Sequence, residues 1–197
     1  MKVRKSERKL PKTDLNRLSS DNMVSYRLPD IQLLKAAQAQ EISAVTSNLF
    51  EKSESLEDIL GKLISEMTYH SYPDLISDVR SHLVTLTASQ ILPDKEALFD
   101  VINAHPRLGA RKVDSAQSIA EQKSLVGESE ALRLLNEEYE ETFPRLRYVV
   151  FVNGRSREVI MRDMKMRIQR GDIEAEKLEA VNAMYNIALD RAGKLSS

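Results

Sequence analysis

Three histidines and no cysteines set the chemical options of this 197-residue chain. Without cysteine there is no disulfide, no thiolate nucleophile and no thiolate-bound zinc or iron–sulfur cluster. A metal site would need histidines with carboxylates, and no H-E-x-x-H or comparable spacing is present, so no metal is expected. His70 marks a helix end, and His82 lies inside an apolar-periodic helix, where a surface or core-edge position is the ordinary outcome. His105 differs because it directly precedes Pro106. The run Pro106-Arg107-Leu108-Gly109 makes a sharp, rigid turn able to aim an imidazole into a cleft. The same spacing suits a histidine that merely acts as a cation at a helix C-terminus.

Two further groups carry possible chemistry. In Ser118-Ile119-Ala120-Glu121-Gln122, Ser118 caps a helix with Glu121 at the third position, and a carboxylate close to His105 would orient the ring and favour its protonated form. A hydrolase triad of Ser118, His105 and Glu121 is another reading, but no nucleophile elbow of the G-x-S-x-G kind is present. On the last helix Met184, Ile187 and Arg191 follow i, i+3, i+7 spacing beside a stripe of Leu178, Val181, Tyr185, Ala188 and Leu195, which places Arg191 at the inward margin. An inward arginine wants an anion, either a substrate or a carboxylate of the protein itself.

The elements that must position these groups are helical. Pro29-Asp30 opens a helix whose Ile31, Leu34, Ile42, Val45 and Leu49 share faces over about five turns. Ser55 and Asp58 signal a second helix through Leu56, Ile59, Leu60, Leu63 and Ile64, stopping near Tyr69-His70. Pro73 starts a third through Leu75, Ile76, Val79, Leu83 and Leu86; Pro93-Asp94 opens a fourth through Leu98, Val101 and Ile102, which Pro106 ends. Later helices are expected from near Ser115 or Ser118, over 129–141, over 156–169 and over 172–195, the last two separated by Gly171. The exception is Arg147-Tyr148-Val149-Val150-Phe151-Val152 before Asn153-Gly154, which has strand propensity. No second β-branched run exists to pair with it, so an extended segment buried against helices is expected, its polar groups free to serve a ligand.

Composition agrees: 30% charged and 5% aromatic residues favour a mostly helical single domain. Residues 1–27 hold eight Lys/Arg against three Asp/Glu and read as a basic, mobile tail, leaving 28–197 as the domain. A net charge of −1 provides no global field for nucleic acid or an anionic membrane, and neither partner is expected. No apolar run approaches the roughly 20 residues of a membrane span, and no secretory leader is visible. An intracellular place, cytoplasmic or peroxisomal, is expected, although the C-terminus is not Ser-Lys-Leu.

Taken in order, Asn103-Ala104-His105-Pro106-Arg107-Leu108-Gly109, Ser118-x-x-Glu121-Gln122 and Leu135-Asn136-x-x-Tyr139 resemble the core motifs of the 2-oxo-4-hydroxy-4-carboxy-5-ureidoimidazoline (OHCU) decarboxylase family. Leu49-Phe50-Glu51-x-Ser53, Arg167, Glu176-x-x-x-Ala180 and Ile187-Ala188-x-x-Arg191 extend the resemblance over roughly residues 28 to 195. The chain departs where the family often reads Phe-Gly-Phe-Pro-Phe, having Phe143-Pro144-Arg145-Leu146-Arg147-Tyr148 instead. The resemblance implies an all-α fold, a homodimer, a small-molecule substrate and no cofactor. It implies His105 as the catalytic residue with Glu121 its partner. It places Pro106, Ser118, Gln122, Arg191 and the Leu146, Arg147, Tyr148, Val149 and Val150 backbone around the substrate. The implied reaction is decarboxylation to (S)-allantoin in urate breakdown. A non-catalytic helical module that kept this architecture, contacting a partner through the basic tail, is the alternative.

Overall fold

The computed structural model describes residues 26–109 and 130–196. Among them every regular element is helical: a 3-10 helix Ile31–Ala36, then α1 Ala39–Leu49, α2 Glu54–Glu66, α3 Tyr72–Ala88, α4 Leu92–Asn103, α5 Glu130–Thr142, α6 Arg157–Arg170 and α7 Ile173–Leu195. The all-α class expected from composition and periodicity is therefore the one observed. Residues 1–25 of the basic segment, the helix expected near Ser115 or Ser118, and Ser118, Glu121 and Gln122 themselves lie outside the described residues.

The core is organised on α7, the longest helix, which packs chiefly along α3 and also against α1. Ala180, Ala188 and Ala192 are fully or almost fully buried on it, beside Val181, Met184 and Ile187. Such small residues let neighbouring helices approach closely while the larger ones fill the gaps. At its end the Leu195 carbonyl accepts the Leu28 amide at 3.1 Å, tying the start of the described chain to its last helix. The inward margin expected for Arg191 holds, since it is 2% exposed. The stripe is rotated from the expected one, however: Glu176 replaces Leu178 on the buried side, and Leu178 is largely exposed.

Boundaries differ in three places. The single helix expected through residues 31–49 is broken at Ala37 and Gln38, both in extended conformation. Neither glycine nor proline marks the break, and Ile31, Leu34, Ile42, Val45 and Leu49 all still pack on the core across it, so the apolar stripe could not reveal it. The second helix is capped by Ser53, not Ser55. The Ser53 hydroxyl accepts the Leu56 amide at 3.2 Å and donates to the Asp100 carboxylate at 2.7 Å, while the Ser55 amide also reaches Asp100, at 3.2 Å. A carboxylate from α4 thus selects the earlier serine. The same helix stops at Glu66, before the expected Tyr69-His70, because Met67 turns to extended backbone.

The segment 146–152 forms neither helix nor ladder, as expected, and Leu146, Tyr148, Val149, Val150 and Val152 are buried. Its carbonyls are not all free for a ligand: Val149 accepts from Arg167, and Phe151 and Val152 accept from Arg155. Among the described residues no helix is long and apolar enough to cross a membrane.

Because Ser53 both caps α2 and binds Asp100, Ser53→Ala should lower unfolding free energy by roughly 1–3 kcal/mol. Urea denaturation with an unchanged m-value would show it; a loss no larger than for Ser55→Ala would place the cap elsewhere.

Candidate active site

The site is built where α4 stops. Its last turn closes with the Ala104 amide on Asp100 O at 3.0 Å and the His105 amide on Ile102 O at 3.3 Å. Pro106 brings no N–H, so the next carbonyls lack main-chain donors from the turn itself. Side chains supply them. Arg147 Nη1 donates to Asn103 O at 2.8 Å and to His105 O at 3.2 Å. Asn103 Nδ2 donates in return to Arg145 O at 2.8 Å. Arg145 sits at φ 72°, a left-handed conformation that normally favours glycine, and is held there by a bidentate ion pair with Glu96 and by stacking over Phe99. Further on, Arg107 forks onto Glu140 of α5 at 2.9 and 3.0 Å, and Asn136 Nδ2 donates to Leu108 O at 3.1 Å. The expected rigid turn is rigid through these tertiary bonds, not through proline alone.

His105 is 5% exposed, and its Nε2 has no hydrogen-bond partner among the described residues. Burial, reinforced by the positive charge of Arg191, pushes its pKa down to about 3. The ring is therefore neutral at physiological pH and does not serve as the helix-terminal cation that its spacing also allowed. With no bond to a described residue, Nε2 is open to a hydrogen bond from a donor that enters beside it.

Arg191 meets a carboxylate of the protein itself: Nη2 lies 2.9 Å from Glu51 Oε1, and Nη1 donates to Phe50 O. Both partners are buried, so the cation is compensated in a low dielectric while its field still acts on His105. Glu51 stood in a motif noted in the sequence, but nothing there paired it with a residue 140 positions away.

A second buried polar cluster stands behind the 146–152 segment. Glu176, fully buried, accepts from Tyr139 Oη at 2.5 Å and from Arg167 and Arg170, each at 3.0 Å. Arg167 also pairs with Asp163 at 3.1 Å, lies over the Tyr148 ring and donates to Val149 O at 3.4 Å. The Tyr148 hydroxyl donates to Asp163, and burial together with that carboxylate raises its pKa, keeping it protonated. Each charge here has a partner, which is the condition for burying it at all. Tyr139, Arg167 and Glu176 were visible in the sequence without a role; their role is to fix the backbone at 148–149.

Of the expected site residues, the structure brings Arg147 to His105 by a hydrogen bond and sets Arg191 close enough for its charge to act on the ring, while Leu146, Tyr148, Val149 and Val150 are buried in the core. His70 is exposed, and His82 is half-buried on α3. His70 borders a cleft of about 410 Å³ at the α2–α3 connection, with Tyr69 bound to Asp78 inside it. Among the described residues no group of His, Asp and Glu could hold a metal ion.

An all-helical domain that buries a neutral histidine on a pinned, proline-ended helix terminus, beside a compensated arginine, is the class of protein these features define. The chain belongs to the OHCU decarboxylase family, whose model matches residues 35–193. The match takes in α1 to α6, α7 as far as residue 193, and both buried polar clusters. A search of curated proteins found no match.

Two measurements follow from these clusters. With its folded pKa about 3 against an unfolded 6.5, His105 binds fewer protons folded than unfolded. Its contribution is complete above pH 6.5 and is lost progressively as pH falls from there towards 3. Replacing His105 by Gln should flatten stability against pH in that window, by up to about 1.4 kcal/mol per pH unit; parallel curves for the two proteins would contradict burial of the ring. Glu176→Ala, which takes from Arg167 its fully buried partner and leaves it Asp163, should cost up to roughly 3–5 kcal/mol in thermal or chemical unfolding.

Proposed function

We propose that this protein decarboxylates 2-oxo-4-hydroxy-4-carboxy-5-ureidoimidazoline to (S)-allantoin in urate breakdown, without a cofactor and with His105 as the base. The observation that carries the reading is the buried imidazole whose Nε2 has no partner among the described residues in a chain of this family. The substrate carries its carboxylate and a hydroxyl on one ring carbon beside a C=N bond. When the bond to CO2 breaks, its electron pair forms a C=C bond and the C=N pair moves to nitrogen, which takes a proton. The enediol-like product then loses its hydroxyl proton to become a carbonyl, and the neighbouring carbon gains a proton on one face. The substrate is its own electron sink, so the protein has only to move protons and hold geometry.

In this reading His105 Nε2 takes the hydroxyl proton and Glu121 orients the ring. Arg191 sustains a positive potential that favours an anionic substrate and the oxygen on which charge develops. Ser118 and Gln122 read the ureido and ring amides, while Pro106 and the backbone of residues 146–150 line the site. The buried apolar surroundings of His105 exclude water, which favours release of neutral CO2 over a solvated carboxylate. The protein acts as a homodimer, which light scattering on the purified chain would check.

The test generates the unstable substrate in situ from urate with urate oxidase and hydroxyisourate hydrolase and follows allantoin by circular dichroism. Fast growth of the (S)-allantoin signal, reduced to the spontaneous racemic course in His105→Ala with the fold intact, is the expected result. An optically silent reaction with the wild-type protein would sink the assignment, and near-normal turnover by His105→Ala would remove His105 from it.

A further inference from the structure

The bond between Arg147 and the end of α4 is unusual in what it joins. A single guanidinium nitrogen, Nη1, spans the carbonyls of Asn103 at 2.8 Å and His105 at 3.2 Å, on either side of Ala104. The Asn103 side chain answers with a 2.8 Å bond to Arg145 O, two residues from Arg147. Helix end and loop therefore grip each other from both directions. Neither grip is replaceable by main chain, because Pro106 has no amide to offer the turn. The partial negative charge of a helix C-terminus adds to the attraction for a guanidinium.

The consequence falls on the His105 ring. Its Nε2 makes no bond to any described residue. Beside the Glu121 contact proposed above, the direction of the imidazole depends on its packing and on the backbone that carries it. A small rotation at Ala104 grows along the side chain to the ring. A bridge that spans Ala104 resists that rotation directly.

We propose that Arg147 and Asn103 are positioning residues for the decarboxylation: their reciprocal bonds between the 145–147 loop and the 103–105 helix end aim the His105 imidazole at the substrate. The proposal rests on His105 being the base, and it assigns Arg147 a side-chain role in place of a merely backbone contact. It spends Nη1 of Arg147 on two neutral carbonyls.

The bridge runs through one nitrogen, so a lysine ammonium can reproduce it where a methionine cannot. Wild type, Arg147→Lys, Arg147→Met and Asn103→Ala would be compared for kcat and KM in the allantoin assay, and for the His105 ring signals by NMR, identified from the His105→Gln spectrum. Arg147→Met is expected to lose roughly tenfold to a hundredfold in kcat with KM unchanged, the cost of a small misplacement of a reacting group. Its His105 ring signals should shift, Arg147→Lys should recover both, and Asn103→Ala should move both in the same direction with a non-additive double mutant. A rise in KM at constant kcat in Arg147→Met would overturn the proposal by making Arg147 a substrate ligand. Unshifted His105 signals would overturn it by cutting the link to the ring. Should Arg147→Met not fold, the Asn103→Ala pair of readouts decides alone. If the wild-type protein fails to turn over the ureidoimidazoline, the functional reading falls, and the NMR comparison still decides whether the clasp holds His105.

Discussion

A helix that ends against a proline leaves carbonyls that no amide of its own chain can reach, and most of the site is arranged round that shortage. Pro106 lies just past the end of α4, and the carbonyls there are satisfied from elsewhere. Arg147 of the 145–147 loop takes those of Asn103 and His105, and Asn136 of α5 takes that of Leu108. The histidine next to the proline is thereby carried on a backbone tied down on both sides. Asn103, Ala104 and Pro106 are only half-buried and Arg147 is exposed, so these side-chain bonds serve the geometry of the buried His105 more than the burial of the helix end itself.

Electrostatics follow from the same burial. A histidine this far from water stays neutral unless a carboxylate faces it, and the positive charge of Arg191 adds to the effect of burial. That arginine is itself admissible only because Glu51 and the Phe50 carbonyl accept from it. On the other side, Glu176 is admissible because Arg167, Arg170 and Tyr139 surround it. Two compensated clusters thus frame the turn: one supplies a field to the imidazole, and the other fixes the backbone of residues 148 and 149. Buried ion pairs of this kind add little net stability against an apolar alternative. Their persistence beside the site fits a role in orientation.

The irregular segment 146–152 shows how one stretch can meet two demands. Its valines and tyrosine pack as a strand's would, satisfying the core, yet without a ladder its carbonyls are open to side-chain donors. Arg155 and Arg167 take several of them. Of its amides, that of Leu146 donates to Phe143 O at 3.0 Å.

Much of this was legible in the residues themselves. Helical class followed from apolar periodicity, Pro73 and Pro93 marked helix starts, Gly171 marked a C-cap at φ 64°, and the His105–Pro106 junction stood out as a constrained place for an imidazole. These are local effects, carried by one residue or one turn, and sequence holds them completely. The break at residues 37–38, the cap at Ser53 and the exposure of Leu178 were not legible, because each is decided by what another helix brings to that point. The same holds for the site. Sequence displayed Glu51, Asn103, Asn136, Arg147 and Glu176 as residue types, but a hydrogen bond between positions 42 or 140 apart exists only once the chain has folded. The charge state of His105 belongs to that second group as well: composition supplies a titratable ring, and only tertiary burial next to Arg191 decides that it stays neutral.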